Sequence, residues 1–253
     1  MTVDVTTDDG VMTITLDDQA TRNALSPDLV AAVRDAITAA NADAAVRVIV
    51  LTNRGSVFCS GANMKHQSSD EGRESGRVGG GFEDLLLDMM QSSTPIVGRI
   101  AGHALGGGVG LAAACDISVA DADAKFGFTE VRLGLSPAII SVVCLPKMRG
   151  GEAMEAFLRG NRFDGVHAAA LGIVNRAVTA DDLDAAISEI VADLLLGGPS
   201  GIASSKRLVR EVPEMAMAEA FRWTAALSAD LFAADEGREG MSAFIEKRDP
   251  GWR

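Results

Sequence analysis

A chain of 253 residues, 47% hydrophobic and 23% charged, can bury one sizeable core as a single domain with a separate helical tail. Its formal net charge of −12 argues against nucleic-acid or anionic-membrane partners, and any polyanionic ligand would need a local basic patch. Cys59, Cys115 and Cys144 are an odd count in apolar settings, Met1 to Val5 lack the regions of a signal peptide, and the longest uncharged stretches fall short of a membrane span, so a soluble cytoplasmic protein with reduced thiols is expected.

Val11 to Leu16 alternates as a strand should, and pairs with Val3 to Thr6 across an Asp8-Asp9-Gly10 turn. Ser26-Pro27 reads as an N-cap followed by proline at the first helical position, opening a helix to about Ala40. Short apolar runs at Val46 to Leu51, Ile96 to Ile100 and Ile117 to Ala120 are separated by helical segments. This alternation predicts an α/β fold, a sheet covered by helices. The polar, glycine-rich stretch from His66 to Gly81 reads as a long loop or a fraying helix, either a flap over a pocket or an ordinary solvent segment. From Asp181 onward the pattern is helical, with Leu183, Ile187, Ile190, Val191 and Leu194 on one face.

The run Ala104-Leu105-Gly106-Gly107-Gly108-Val109-Gly110-Leu111 leads straight into Ala112-Ala113-Ala114-Cys115, a tight loop feeding a buried helix. Glycine lets a ligand approach the backbone, and the first N–H groups of a helix lack internal partners, so such a loop can hold a developing oxyanion. A purely structural glycine turn is the competing reading. The strand at Val48 to Leu51 opens into Phe58-Cys59-Ser60-Gly61-Ala62-Asn63, which offers another accessible N–H at Ala62. Farther on, Phe126-Gly127-Phe128-Thr129-Glu130-Val131-Arg132-Leu133-Gly134 sets one carboxylate among apolar neighbours. They should raise the Glu130 pKa toward working pH; the alternative is a surface glutamate paired with Arg132.

These three segments, in this order, resemble the crotonase family of enoyl-CoA hydratases and isomerases, as do Arg22-Asn23-Ala24-Leu25-Ser26 and the run Glu239 to Arg248. The resemblance covers essentially the whole chain. It implies a crotonase-like spiral of ββα units over residues 1–195. A helical C-terminal segment, residues 196–253, would build a homotrimer or a dimer of trimers. It implies acyl-CoA as substrate in fatty acid metabolism, with no cofactor beyond that thioester. By motif position Ala62 and Gly107 become the oxyanion-hole donors and Glu130 the acid/base. Arg22, Ala24, Lys65 and Lys247 become coenzyme A contacts, Lys247 from a neighbouring subunit.

The sequence departs from the two-glutamate hydratases, because their other catalytic position, three residues past the middle glycine of the loop, is Gly110. The segment Pro137-Ala138-Ile139-Ile140-Ser141 is similar to methylglutaconyl-CoA hydratases and offers no replacement acid. Ile139 and Ile140 would shape an acyl pocket or simply pack a helix. Hydration of a 2-enoyl-CoA is the expected activity, Δ3-Δ2 isomerisation the alternative, and a non-catalytic acyl-CoA-binding or assembly protein the reading from another class. The three histidines have no ligand-like spacing, so no metal is expected. His103 and Asp116 read as satisfied structural residues, His66 as exposed, and the cysteines as core packing.

Overall fold

The computed structural model describes residues 2–70, 74 and 80–253. A hairpin opens the chain, with β1 (Val3–Asp8) antiparallel to β2 (Val11–Leu16). The register pairs Asp8 with Val11, so the turn is the two residues Asp9 and Gly10, at φ 43° and 80°. Both lie in the left-handed region that matches the twist of the strands. The first strand therefore runs two residues past the expected Thr6. Ser26 then caps α1 (Pro27–Ala42) by accepting from the Leu29 N–H, as the Ser-Pro pair predicts.

Three successive units follow, each placing one strand in a large sheet and the next in a small one. They are β3 (Val48–Asn53) with β4 (Val57–Cys59), β5 (Ile96–Ile100) with β6 (His103–Leu105), and β7 (Ile117–Asp121) with β8 (Phe126–Gly127). The large sheet runs β1-β2-β3-β5-β7-β9, where β9 is Arg176–Val178, and the small one runs β4-β6-β8. Among the described residues these strands pair in parallel after the hairpin, with one isolated antiparallel bridge between Phe126 and Phe163. The third run starts at Val48 rather than Val46, because the Val46 N–H is already turned back onto the Asp43 carbonyl.

The helices are α2 (Met64–Gln67), α3 (Phe82–Gln91), α4 (Gly107–Ala114), α5 (Ala138–Cys144), α6 (Gly150–Arg159) and α7 (Gly165–Ala170), followed by α8 (Leu183–Leu196), α9 (Pro199–Glu211), α10 (Met217–Ala233) and α11 (Asp235–Glu246). Every residue of β3 is buried, since helices cover the sheet on both faces. Ile49 and Leu51 join the main core with α1, α3 and α4. Val48, Val50, Val97 and Val119 meet Leu183, Ile187 and Ile190 of α8, with Val191 and Leu194 packed alongside, on the helix face that the spacing predicts. Among the described residues no single helix is long and apolar enough to cross a membrane. The 66–81 stretch, expected as a long loop or fraying helix, begins within the short α2 and ends where α3 starts at Phe82; its centre, residues 71–73 and 75–79, lies outside the described residues.

The C-terminal helices are tied back to the core by cations. Lys206 of α9 reaches Asp116 at 2.7 Å and the Thr94 carbonyl at 3.3 Å, and Arg210 bonds the Met90 carbonyl at the end of α3. Asp116 also accepts from the Ile96 N–H at 2.7 Å, the structural role its position suggests. Burial pushes its carboxyl above the usual range, outweighing Lys206. Arg47 closes the other end by donating to the carbonyls of Gly197 and Trp252. Removing one partner of a largely buried pair strands the other charge. Lys206→Ala is accordingly expected to cost roughly 3 kcal/mol in a urea titration at neutral pH, and the deficit should shrink as the pH falls and Asp116 takes up a proton.

Candidate active site

The glycine run performs two tasks at once. Gly106 stands at φ 53°, ψ −121°, a conformation open to glycine, and turns β6 into α4. Its N–H donates to the Gly127 carbonyl of β8 at 2.9 Å, while the next N–H, that of Gly107, is the first of α4. Among the described residues the Gly107 N–H has no hydrogen-bond partner, as expected at a helix start. The loop after β4 brings a second such group beside it. Leu25 donates to the Gly61 carbonyl at 2.8 Å and accepts from the Asn63 N–H at 3.3 Å, which skips the Ala62 N–H and leaves it open. The two loops touch: a Cβ added to Gly61 would sit 3.3 Å from the Gly107 nitrogen and 2.9 Å from the Leu105 carbonyl.

Glu130 closes the third side. It lies on a 3-10 turn, Thr129–Leu133, that follows β8 directly, so the Gly106–Gly127 hydrogen bond fixes it relative to the glycine loop. A Cβ added to Gly106 would fall 3.2 Å from Glu130 Oε1, so the carboxylate stands over the bare backbone next to Gly107. Oε2 is buried and without a hydrogen-bond partner, and burial pushes the carboxyl above the usual glutamate range. Arg132 forms no ion pair with it among the described residues, so the paired-surface reading of Glu130 does not hold. A half-buried carboxylate with one unpartnered oxygen, beside an open helix-start N–H, is a group suited to exchanging a proton with a bound molecule.

Position 110 is closed. A Cβ there would lie 2.7 Å from Ile140 Cβ and against its Cγ2, and Ile140 is itself buried on α5. Of the two readings of Ile140, helix packing is the one observed. Sequence reasoning also passed over two side chains that wall the Gly107 donor. Leu25 Cδ1 lies 2.5 Å and Phe82 Cε1 3.4 Å from where a Cβ on Gly107 would be. Leu25 was visible as part of a motif; Phe82 follows a polar stretch that hid it.

Arg22, Ala24 and Lys65 gather around the Ala62 loop. Arg22 sits in the left-handed region at φ 61°, and its carbonyl accepts from the Ser60 N–H. Ala24 is buried one residue before the Leu25 pairing, and Lys65 lies exposed in α2. Lys247 is the left-handed C-cap of α11, its backbone N–H donating to the Phe244 carbonyl, and its neighbour Arg248 is bound to Glu239 and Glu246. His103 is half-buried and accepts from the Lys125 N–H through Nδ1 at 3.0 Å. All three cysteines are buried with thiols pushed up to about 12, which suits packing and not nucleophilic attack. Among the described residues no three His, Cys, Asp or Glu side chains are grouped to hold a metal ion.

Paired strands feeding a glycine-started helix, with two open backbone N–H groups on adjoining loops and a half-buried glutamate beside the helix start, define an α/β protein with the makings of an anion-stabilising site. The chain belongs to the family described as enoyl-CoA hydratase/isomerase, whose profile matches residues 6–253. It is 33% identical over 231 residues to the crotonyl-CoA hydratase of Syntrophomonas wolfei, covering 89% of this chain and 88% of that one. Over 217 residues it is 32% identical to the carnitinyl-CoA dehydratase of Citrobacter koseri, covering 83% of each. The crystal structure of an enoyl-CoA hydratase from Mycobacterium smegmatis superposes with a TM-score of 0.92 at 28% identity, covering 100% of this chain and 99% of that one. The fold is the crotonase fold.

Overpacking at a well-filled contact costs about 1–3 kcal/mol. Gly110→Ala should be destabilised by that order, and adding Ile140→Ala should make the pair more stable than the sum of the singles, by about 1 kcal/mol in a double-mutant cycle. Gly110→Glu, for the same reason, should unsettle α4 and α5 without raising hydration.

Proposed function

We propose that this protein hydrates a 2-enoyl-CoA thioester, with Glu130 as its acid/base and the Ala62 and Gly107 N–H groups as its oxyanion hole. The observation that carries this reading is the Glu130 carboxylate, its buried Oε2 without a partner, held over Gly106 beside the open Gly107 donor. Water adds through its oxygen to C3 while Glu130 takes one of its protons. The double-bond electrons move toward the thioester oxygen, where the two N–H groups stabilise the enolate. Glu130 then returns the proton to C2, so one molecule of water is added and the carboxylate is restored. Fixed backbone donors need no reorganisation, and losing one such donor typically costs about 10²–10³ in rate. The crotonyl-CoA hydratase and carnitinyl-CoA dehydratase likenesses support this reaction class.

Isomerisation between 3-enoyl- and 2-enoyl-CoA is the second reading, favoured by the closed position 110. There Glu130 would move a proton between C2 and C4 with no water taken up. Coenzyme A would lie along the Ala62 loop with its phosphates near Arg22 and Lys65, and would be the substrate's own carrier, no further cofactor being required. The C-terminal helices expose Phe221, Phe232, Phe244 and Ile245. We assign that surface to a homotrimer in the cytoplasm, in which Lys247 of an adjacent copy would reach the coenzyme; sedimentation at three or six times the chain mass is expected.

Glu130→Gln should keep thioester binding and lower turnover by about 10²–10⁴-fold or more, because size survives and proton exchange does not. Steady-state assays on 2-enoyl- and 3-enoyl-CoA thioesters read this directly. A hydroxyacyl product identifies hydration, a shifted double bond isomerisation, and turnover unchanged in the variant removes Glu130 from the mechanism. Because burial raises the Glu130 pKa, the ionised base should be lost on acidification at a pH above the ordinary glutamate range of about 4.3, giving kcat/KM an acid limb. The stability sign follows from the same shift. The folded state holds this proton more tightly than the unfolded one, so the stability present below the unfolded pKa is lost as pH rises through the folded value. Glu130→Gln should therefore unfold at a higher temperature than the parent at neutral pH, with the gap narrowing toward acid.

A further inference from the structure

Behind the turn that carries Glu130, a cavity of about 440 Å³ opens, lined by Thr129, Arg132, Leu133 and Arg162. A 3-10 turn repeats every three residues, so Thr129 and Arg132 share one face. Glu130, Ala62 and Gly107 are not among the residues that line the cavity. Its two walls are held together by the backbone. Phe126 and Phe163 exchange hydrogen bonds of 2.8 and 3.0 Å, and Phe128 packs on Phe157 with ring centroids 4.4 Å apart. Thr129 Cγ2 and the Arg162 Cα crowd the same glycine, lying 3.4 and 3.5 Å from where a Cβ on Gly127 would be. The Arg132 stem runs past Gly160 in the same way, with Cγ 3.4 Å from that residue's absent Cβ.

In this acidic chain arginines are mostly engaged by carboxylates or carbonyls. Among the described residues the side chains of Arg22, Arg132, Arg162 and Arg222 make no ion pair or hydrogen bond, and two of these four residues line this one cavity. Both arginines are exposed at the cavity, free to turn their guanidinium groups to a common guest, and an anion held by both would gain two charge-assisted attractions. We propose that the cavity is an anion site. It would take a phosphate or carboxylate group of a small polyanion between Arg132 and Arg162, with the Thr129 hydroxyl as a further donor and Leu133 as an apolar wall. The guanidinium fork matches both oxyanions, and its weak hydration favours it over lysine for this task. An anion held there braces the Thr129–Leu133 turn against the 161–163 segment.

The proposal does not rest on the hydratase reading, and its test needs no turnover. The full-length protein is titrated calorimetrically in low-salt buffer with inorganic phosphate and, separately, with succinate. Saturable binding of either probe is expected, phosphate alone marking a phosphoryl ligand and succinate alone a carboxylate one. Arg132→Ala and Arg162→Ala should each weaken it roughly tenfold or more, the size of one lost charged hydrogen bond. Arg132→Lys, which keeps the charge and loses the fork, should fall between, and Arg222→Ala should bind as the parent does. No saturable binding of either anion, or binding that persists in both alanine variants, overturns the site.

Discussion

Everything chemical in this protein depends on the absence of a side chain at Gly106. That residue must turn the chain at a positive φ, donate its N–H to Gly127, and let the Glu130 carboxylate come within van der Waals reach of its backbone. A Cβ would be strained by the backbone angle and would press on Glu130 Oε1. The consequence is that a helix start and an acid, groups that attract, are held side by side without pairing. On the proposed reading the helix donor is left for the substrate carbonyl, and the half-desolvated carboxylate for a proton.

The strands serve that junction. Because each unit sends one strand to the large sheet and the next to the small one, the ends of β4, β6 and β8 arrive side by side. The Ala62 loop, the Gly107 helix start and the Glu130 turn leave those three ends. A slip between β6 and β8 would break the Gly106–Gly127 bond and carry Glu130 away from the Gly107 helix start. The large sheet, packed between α8 and the α1, α3 and α4 layer, supplies the rigidity that holds the small one in place. The buried Asp116–Lys206 pair and the Arg47 clamp then fasten the outer helices to that frame.

Much of this was readable in the amino-acid sequence because it lies in residue types with strong local consequences. Ser26-Pro27 marks a helix start by proline's fixed φ, the period of Leu183 to Leu194 marks a buried face, and Gly106-Gly107 marks a turn into a helix. Glu130 stood out by its apolar neighbours, and the family resemblance joined it to Ala62 and Gly107. What stayed hidden was contact between distant segments. Nothing local says that Ile140 fills the space above Gly110, that Phe82 walls Gly107, or that Arg132 and Arg162 meet across one cavity. Strand ends moved by two residues where a turn, as at Asp43 to Val46, claimed the first N–H groups.

The central claim is that Ala62 and Gly107 together polarise a thioester carbonyl within reach of Glu130. Difference infrared spectroscopy on a bound enoyl-CoA carrying a ¹³C-labelled carbonyl, with Glu130→Gln used to prevent turnover, addresses it most directly. Two backbone donors should shift the carbonyl stretch well below its frequency in water and narrow the band, since the oxygen is held in one environment. A labelled carbonyl that binds with the frequency and width it has in water would contradict the account, because the thioester would then lie outside the two-donor site.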